Sequence, residues 1–585
     1  MTGCNEYHPL ARMTSSPKDL VAAVPRSGTP ERASASPPAA PARDDARAAA
    51  QPETGRAPAR RASARRLLAV AATALAVALL FLAYLRVSRT YPENSDESND
   101  LLMAWDMLHG NVLLHGWYLS DVSFITTELP QYALLVWLFG LHTDTAHIAA
   151  AMTYTLVVIF SVLLARGAKG RVPRREGRVR MLLTAGLTFA PQLGVAVFVL
   201  LLSLGHIGTA VPLLLTWLVI DRCPPRPWVP VLIGLLLTWV LIADPLALLV
   251  GVVPLVAVCA MRVTRELARR QDTPVLAVLR ARWYELSLAV AAIAAQGLAS
   301  LAGRLLQAYL HPLPYQLAPA HTWPKHAWVT AKGLLALFGA KPEGPPAAFA
   351  FALLHLAGVA LVAWAMLRVA RRFLSWPDMV SQILLVAIVL NVVAYVPSTL
   401  ANATDLNARE FAVVLPFGAV LAGRTLAASL LGTRLQARPA LLAGAAGVLL
   451  AGYAAGLGWA AAQPAVPAMN ARLVTFLSAH QLTSGIGGYW ESSVVTVGSD
   501  GAVTIRAVLP GTLQPDLWEA KSSWYDARQH YANFLVTSST PGFFHHWQPN
   551  RAALAALGPA ARTYHVGPYT VYVWNKNLLA ELPHQ

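Results

Sequence analysis

The residues best placed to do chemistry lie in one acidic stretch, SRTYPENSDESNDLLMAWDMLHGN, beginning at Ser88. It carries Glu93, Asp96, Glu97, Asp100 and Asp106 against one cation, Arg89. It follows directly on an apolar run, 67–87, long enough to cross a bilayer. Carboxylates crowded against a membrane are costly unless they face water, a metal or a substrate. One of them, correctly ionised, can remove a proton from a reacting hydroxyl. Asn94 or Ser95 is suited to cap a helix starting near Asp96, and Gly110 to end it past His109. On that helix Asp96 and Asp100 share a face and Glu97 points elsewhere. Acids in a first helical turn also complement the helix dipole, which accounts for one or two of them and not for the cluster.

The elements that must hold these residues are membrane spans. The 585-residue chain is 56% hydrophobic and 13% charged, with mean hydropathy +0.47; a soluble chain carries roughly 25% charged residues. Apolar runs recur at about 67–87, 144–166, 181–203, 207–221, 228–244, 246–262, 285–303, 346–368, 379–397, 411–431 and 440–462. The stretch 127–140 is short enough to dip into the membrane without crossing it. The net charge of +16 sits in the N-terminal segment and in alternate short loops, including 166–180, 262–282, Arg368/Arg371/Arg372 and Arg424/Arg434/Arg438. That is the positive-inside pattern, and it argues against a nucleic-acid partner. The reading is a mainly α, polytopic helical bundle of about eleven spans in the plasma membrane, N-terminus inside and C-terminus outside.

Three domains are expected. Residues 1–66, rich in Ala, Pro, Arg and Ser, lack the apolar surface to order themselves and form a basic cytoplasmic tail. Residues 67–462 form the transmembrane part, with large outside loops at 88–143 and 304–345. The second loop includes Arg304, His321 and Lys325 and an amphipathic stretch, KHAWVTAKGLLALF, suited to the interface. Residues 463–585 form a small extracytoplasmic α/β or α+β domain: a helix (MNARLVTFLSAHQL), then period-2 segments SVVTVG, AVTIRAVLP, ANFLVTSS and YTVYVWN. Cys4, Cys223 and Cys259 form no disulfide framework or CxxC site.

The pattern DE-x(6)-A-x-D-M-L-x-G-N at 96–111, followed by FITTELPQYALLVWL, resembles the first loop of GT-C glycosyltransferases, in particular the protein O-mannosyltransferase and lipid A aminoarabinose-transferase group. AREFAVVLPFGAVLAG (408–423) is similar to the start of a late span in that group. The resemblance implies a GT-C-like membrane domain and inverting transfer of a sugar from a polyprenyl-phosphate donor to a glycan, lipid or protein acceptor. It puts Asp96 in the place of the catalytic carboxylate, with Glu97 as alternative base or metal ligand. Asp100, Asp106, Asp121 and Glu128 are further first-loop candidates. Where the family often has Lys-Pro-Pro this chain has Glu128-Leu129-Pro130, so that lysine's phosphate or substrate contact is in question here.

A departing phosphate calls for cations, since it needs no general acid. Arg409, Arg304, His321 and Lys325 are the candidates, set against the common role of such residues as headgroup anchors. A divalent metal is compatible with the acids and with His109, His115, His142, His147 and His206. No HxxxH or HExxH spacing supports one, and polar loop histidines are the commoner case. Tyr489, Trp490, Trp518, Trp524 and Tyr525 could stack on sugars, but such residues more often fill a small core. Two rivals stand. A transporter or flippase would place charges at mid-membrane, where Asp244 before Pro245 is the one good instance; a non-catalytic envelope-assembly protein would keep the fold alone.

Overall fold

The computed structural model describes residues 56–168, 170–189, 193–202, 205–312, 315–342, 345–401, 405–432, 439–539 and 546–583. Most of the tail, Arg434 and Arg438 therefore lie outside the described residues. Ala69–Gln585 forms one compact unit. Helix α1, Arg56–Ser88, begins ten residues before the tail's expected end at 66. Among the described residues, six helices are long and apolar enough to span a membrane: Arg66–Ser88, Thr143–Arg166, Leu248–Arg269, Trp283–Gly303, Pro346–Ala370 and Asn407–Leu431.

After α1 come α2 (Ser95–Leu108), α3 (Glu128–Phe139), α4 (Thr143–Arg166) and α5 (Arg174–Thr188). The run read as 181–203 is divided between the end of α5 and a short helix, Val195–Leu201. The run 246–262 opens as a π-helical turn, Leu248–Val252, and continues as Val253–Arg269. Pro254 explains the widened turn: it has no N–H to donate one turn back.

The Val414–Gly432 helix is the hub. It belongs to the span Asn407–Leu431, whose apolar window is 94% buried, and it packs on α4, α5, Pro346–Ala370 and Met379–Tyr395. Without a strong hydrophobic drive between helices in lipid, such packing relies on close approach of small residues. Gly423 supplies it, lying against the Arg180 carbonyl, Thr184 and Ala165.

The first loop follows local rules. Asn94 caps α2, its side chain accepting from the Asp96 N–H at 2.8 Å. Glu97 closes the capping box by accepting from the Asn94 N–H at 3.0 Å. Gly110, at φ +100°, turns the chain after the helix. Arg89, the loop's lone cation, pairs with Asp144 at 2.5 Å and with none of the five acids named above.

Strand β1 (Trp117–Leu119) pairs in parallel with β2 (Tyr309–Leu310) and antiparallel with β5 (Ala520–Lys521). This three-stranded sheet joins the first loop, the 304–345 loop and the C-terminal region. That region otherwise builds a mixed sheet ordered β4 (Thr504–Ala507), β3 (Ser484–Gly487), β6 (Phe534–Ser539), β9 (Tyr569–Val573), β8 (Arg562–Val566), with β7 (His546–Trp547) on β6. Alternation sends Phe534 and Val536 to one core and Leu535 to the other. Ala471–Ala479 is the expected helix, but SVVTVG is not a strand. It forms a helix, Ser493–Gly498, because Ser493 to Val497 are buried on every side, Val494 and Val495 in the C-terminal core and Val497 in the first-loop core, with the turn packed on α2.

Gly423→Ala would put a Cβ 2.8 Å from the backbone oxygen of Arg180, which has no freedom to withdraw. The variant is expected to lose about 1–3 kcal/mol through overpacking, read as a lower thermal-unfolding midpoint in the same detergent.

Candidate active site

Asp96 occupies the second position of α2, where the capping turn fixes its backbone and leaves its carboxylate free to reach sideways. The side chain is 20% exposed. Its Oδ1 accepts from the Tyr489 hydroxyl at 2.8 Å, and Oδ2 lies 3.6 Å from Arg409 Nη1. Glu97 next to it is fully buried, with its carboxylate spent on the cap. Burial first, then the charges of Asp96 and Glu93, hold its pKa well above the usual carboxylate range, against the bonds from the Asn94 turn.

Arg409 comes from the 3-10 turn Asp405–Phe411 that leads into the hub helix. Its Nε lies 3.5 Å from Glu410 Oε1. Glu410 Oε2 faces His206 Nε2 at 3.0 Å, and His206 Nδ1 faces Asp244 Oδ2 at 2.7 Å. Asp244 also accepts from the Thr209 hydroxyl and from the Leu246 N–H. A continuous chain thus runs Asp96, Arg409, Glu410, His206, Asp244. Burial alone would strip the proton from His206, but a carboxylate at each ring nitrogen holds its pKa well above the usual histidine value. The ring is an imidazolium donating in both directions.

On the other side of Asp96 stands Glu519, 7% exposed, accepting from Tyr489 at 2.7 Å and from Asn99 Nδ2 at 3.3 Å. The antiparallel pairing of β1 with β5, Tyr118 opposite Ala520, sets it beside the end of β1. Burial, then the charge of Asp96, pushes its pKa up to about 7.

The other expected residues separate clearly. Asp121 lies within the electrostatic reach of His206, Glu410 and Arg409, and burial raises its pKa. Asp100 is buried on α2 with neither carboxylate oxygen hydrogen-bonded; burial, then Glu519 and Glu128, raises its pKa strongly. Asp106 is a clamp, bound by Lys521 at 2.9 Å and by the Trp117 indole at 2.7 Å. Glu128 is buried over Gly208, where any Cβ would collide with its carboxylate. Arg304, His321 and Lys325 are exposed, and no contact among the described residues joins them to Asp96. Glu410, Glu519 and Asn99 were not legible as site residues. His206 and Asp244 stood out in the sequence, but as a loop histidine and as a mid-membrane charge.

The C-terminal aromatics line a seam. Besides Tyr489, Trp524 packs edge-on against Trp117 at 5.0 Å and Trp518 lies 4.9 Å from His311. Among the described residues, no group of three or more His, Cys, Asp and Glu is arranged to hold a metal ion.

The chain is an integral membrane protein with a GT-C-like fold. Among solved structures, ArnT from Cupriavidus metallidurans in the apo state aligns over 90% of this chain and 100% of that one, at 13% identity and a TM-score of 0.51. The same protein bound to undecaprenyl phosphate aligns over 89% and 99%, at 12% identity and a TM-score of 0.46. No protein-family model matches the chain, and no curated protein sequence does.

His206→Ala would leave buried Asp244 without its cation and Glu410 with Arg409 alone, and is expected to cost about 3–5 kcal/mol. Because the folded-state pKa of His206 is raised, its stabilisation is fully present below about pH 6.5 and is lost as pH climbs through the raised value. The midpoint gap between wild type and variant should therefore be widest below about pH 6.5 and narrow steadily as the pH rises above it.

Proposed function

We propose that this protein is a membrane glycosyltransferase that moves a sugar from a polyprenyl-phosphate donor to an extracytoplasmic acceptor, with inversion. The observation that carries the reading is the pairing of Asp96 with Arg409 in a GT-C-like fold. Asp96 is the general base for the acceptor hydroxyl. Arg409, 38% exposed, has further N–H donors with which to meet the phosphate whose negative charge grows as the glycosidic bond breaks. Glu97 is the poorer base, because its carboxylate is already committed to the α2 cap.

The charge pattern of the loops supports a cytoplasmic tail, with the site and the 463–585 domain on the outer face of the plasma membrane. Exposed Arg304, His321 and Lys325 fit headgroup anchoring, or a phosphate arriving at the rim. The transport reading leaned on Asp244, and that charge is taken up by His206, Thr209 and Leu246.

The test is transfer from a panel of radiolabelled polyprenyl-phosphate sugars by protein reconstituted in lipid. Asp96→Asn keeps size and removes the base, and should lower turnover by about 10²–10⁴-fold. Glu97→Gln keeps an acceptor for the cap and should stay within about tenfold of wild type, well short of a lost general base. Equal turnover in wild type and Asp96→Asn would move the base elsewhere. Folded wild type inert with every donor would sink the enzyme reading in favour of transport or assembly.

A further inference from the structure

The Tyr489 hydroxyl stands between two carboxylates, 2.8 Å from Asp96 Oδ1 and 2.7 Å from Glu519 Oε2. It has one proton and can donate to one of them at a time. A third contact fixes its remaining capacity. Asn99 Nδ2 donates to the Tyr489 oxygen at 3.0 Å, and the Asn99 carbonyl is held by the Ser493 hydroxyl, so the amide cannot turn over. The Tyr489 backbone is tied down as well, its carbonyl accepting from Ser95 at 2.5 Å. Everything around the hydroxyl is fixed except the direction in which its proton points.

The geometry points to Asp96, Tyr489 and Glu519 as a proton relay, in which the C-terminal region supplies the residue that receives the proton taken from the acceptor. This rests on the reading of Asp96 as general base. As the acceptor oxygen bonds to the anomeric carbon, its O–H bond breaks and the proton passes to Asp96. The bond from that carbon to the phosphate oxygen breaks, and its electron pair leaves on the phosphate. Tyr489 then accepts the proton from the Asp96 carboxyl and gives its own to the Glu519 carboxylate. The net relay is an ionised Asp96 restored and a neutral Glu519 formed. Tyr489 and Glu519 act through Asp96 and are positioning residues.

The surroundings favour that direction. Glu519 is faced by Asp96 and Asp100 from α2 and by Arg409 from the turn before the hub helix. The charge of Asp96, with a neutral-leaning Asp100 beside it and Arg409 partly exposed, makes a proton welcome on Glu519. Burial adds to this, bringing its pKa to about 7, so the residue can be ionised before turnover and neutral after it near neutral pH.

The experiment is the pH dependence of kcat for lipid-reconstituted wild type, Tyr489→Phe, Glu519→Gln and the double variant, with thermal midpoints measured alongside. Gln at 519 still accepts from Tyr489 but cannot take a proton. Wild-type kcat should rise through about pH 7 as Glu519 ionises. Glu519→Gln should lose that limb and about tenfold in kcat, with KM nearly unchanged. Tyr489→Phe should match it, and the double variant should be no worse than either, as for residues acting as a unit. A wild-type profile and rate in Glu519→Gln overturns the relay while leaving Asp96 as base. So does a lowered kcat that keeps the limb, the mark of a merely structural part. Wild type inert with every donor removes the base assignment and the relay together.

Discussion

A carboxylate taken out of water must either meet a cation or hold a proton, and the site is organised around that choice. Two cations, Arg409 and His206, serve Asp96, Glu410 and Asp244 in one chain. Asp100 and Glu519 lie outside it and are pushed toward the neutral form. The charged line is anchored deep, where Asp244 is 1% exposed, and opens at Asp96, which is 20% exposed. The more exposed members, Asp96 and Arg409, lie together at one end of the line, and the partners beyond them satisfy one another.

The scaffold serves that line. The α2 cap directs Glu97 inward and leaves Asp96 beside it facing the site. The hub helix, held close to α4 and α5 through Gly423, delivers Arg409 and Glu410 as adjacent residues with opposite duties. The turn carrying His206 brings the imidazolium under Glu410, and Gly208 two residues on leaves room for the Glu128 carboxylate.

What the sequence revealed followed the range of the forces involved. Helix α2 was legible because its determinants, Asn94, Glu97 and Gly110, act within a few residues of one another. The apolar runs were legible because bilayer thickness imposes a length. Arg409 emerged from a local motif, yet Glu410 beside it did not, since its meaning depends on a histidine 204 residues away. Glu519 has no local signal at all; only the register of β5 on β1 gives it a role. SVVTVG was misread because alternation over six residues implies one buried face, whereas Ser493 to Val497 are buried on every side between two cores. The cations of the 304–345 loop were named for their charge, which says nothing about distance.

The three-stranded sheet sets an order on the birth of the molecule. Strand β1 lies early in the chain, but the lysine that clamps its loop is 415 residues from Asp106, and β2 arrives between them. Contacts so distant in sequence form late and slowly. The first loop must therefore wait, Asp96 and Asp106 without their final partners, until the C-terminal region has been made. The carboxylate cluster is thus completed only after residue 521 has been made, and a nascent chain halted short of residue 519 holds the helices of the bundle without a finished site.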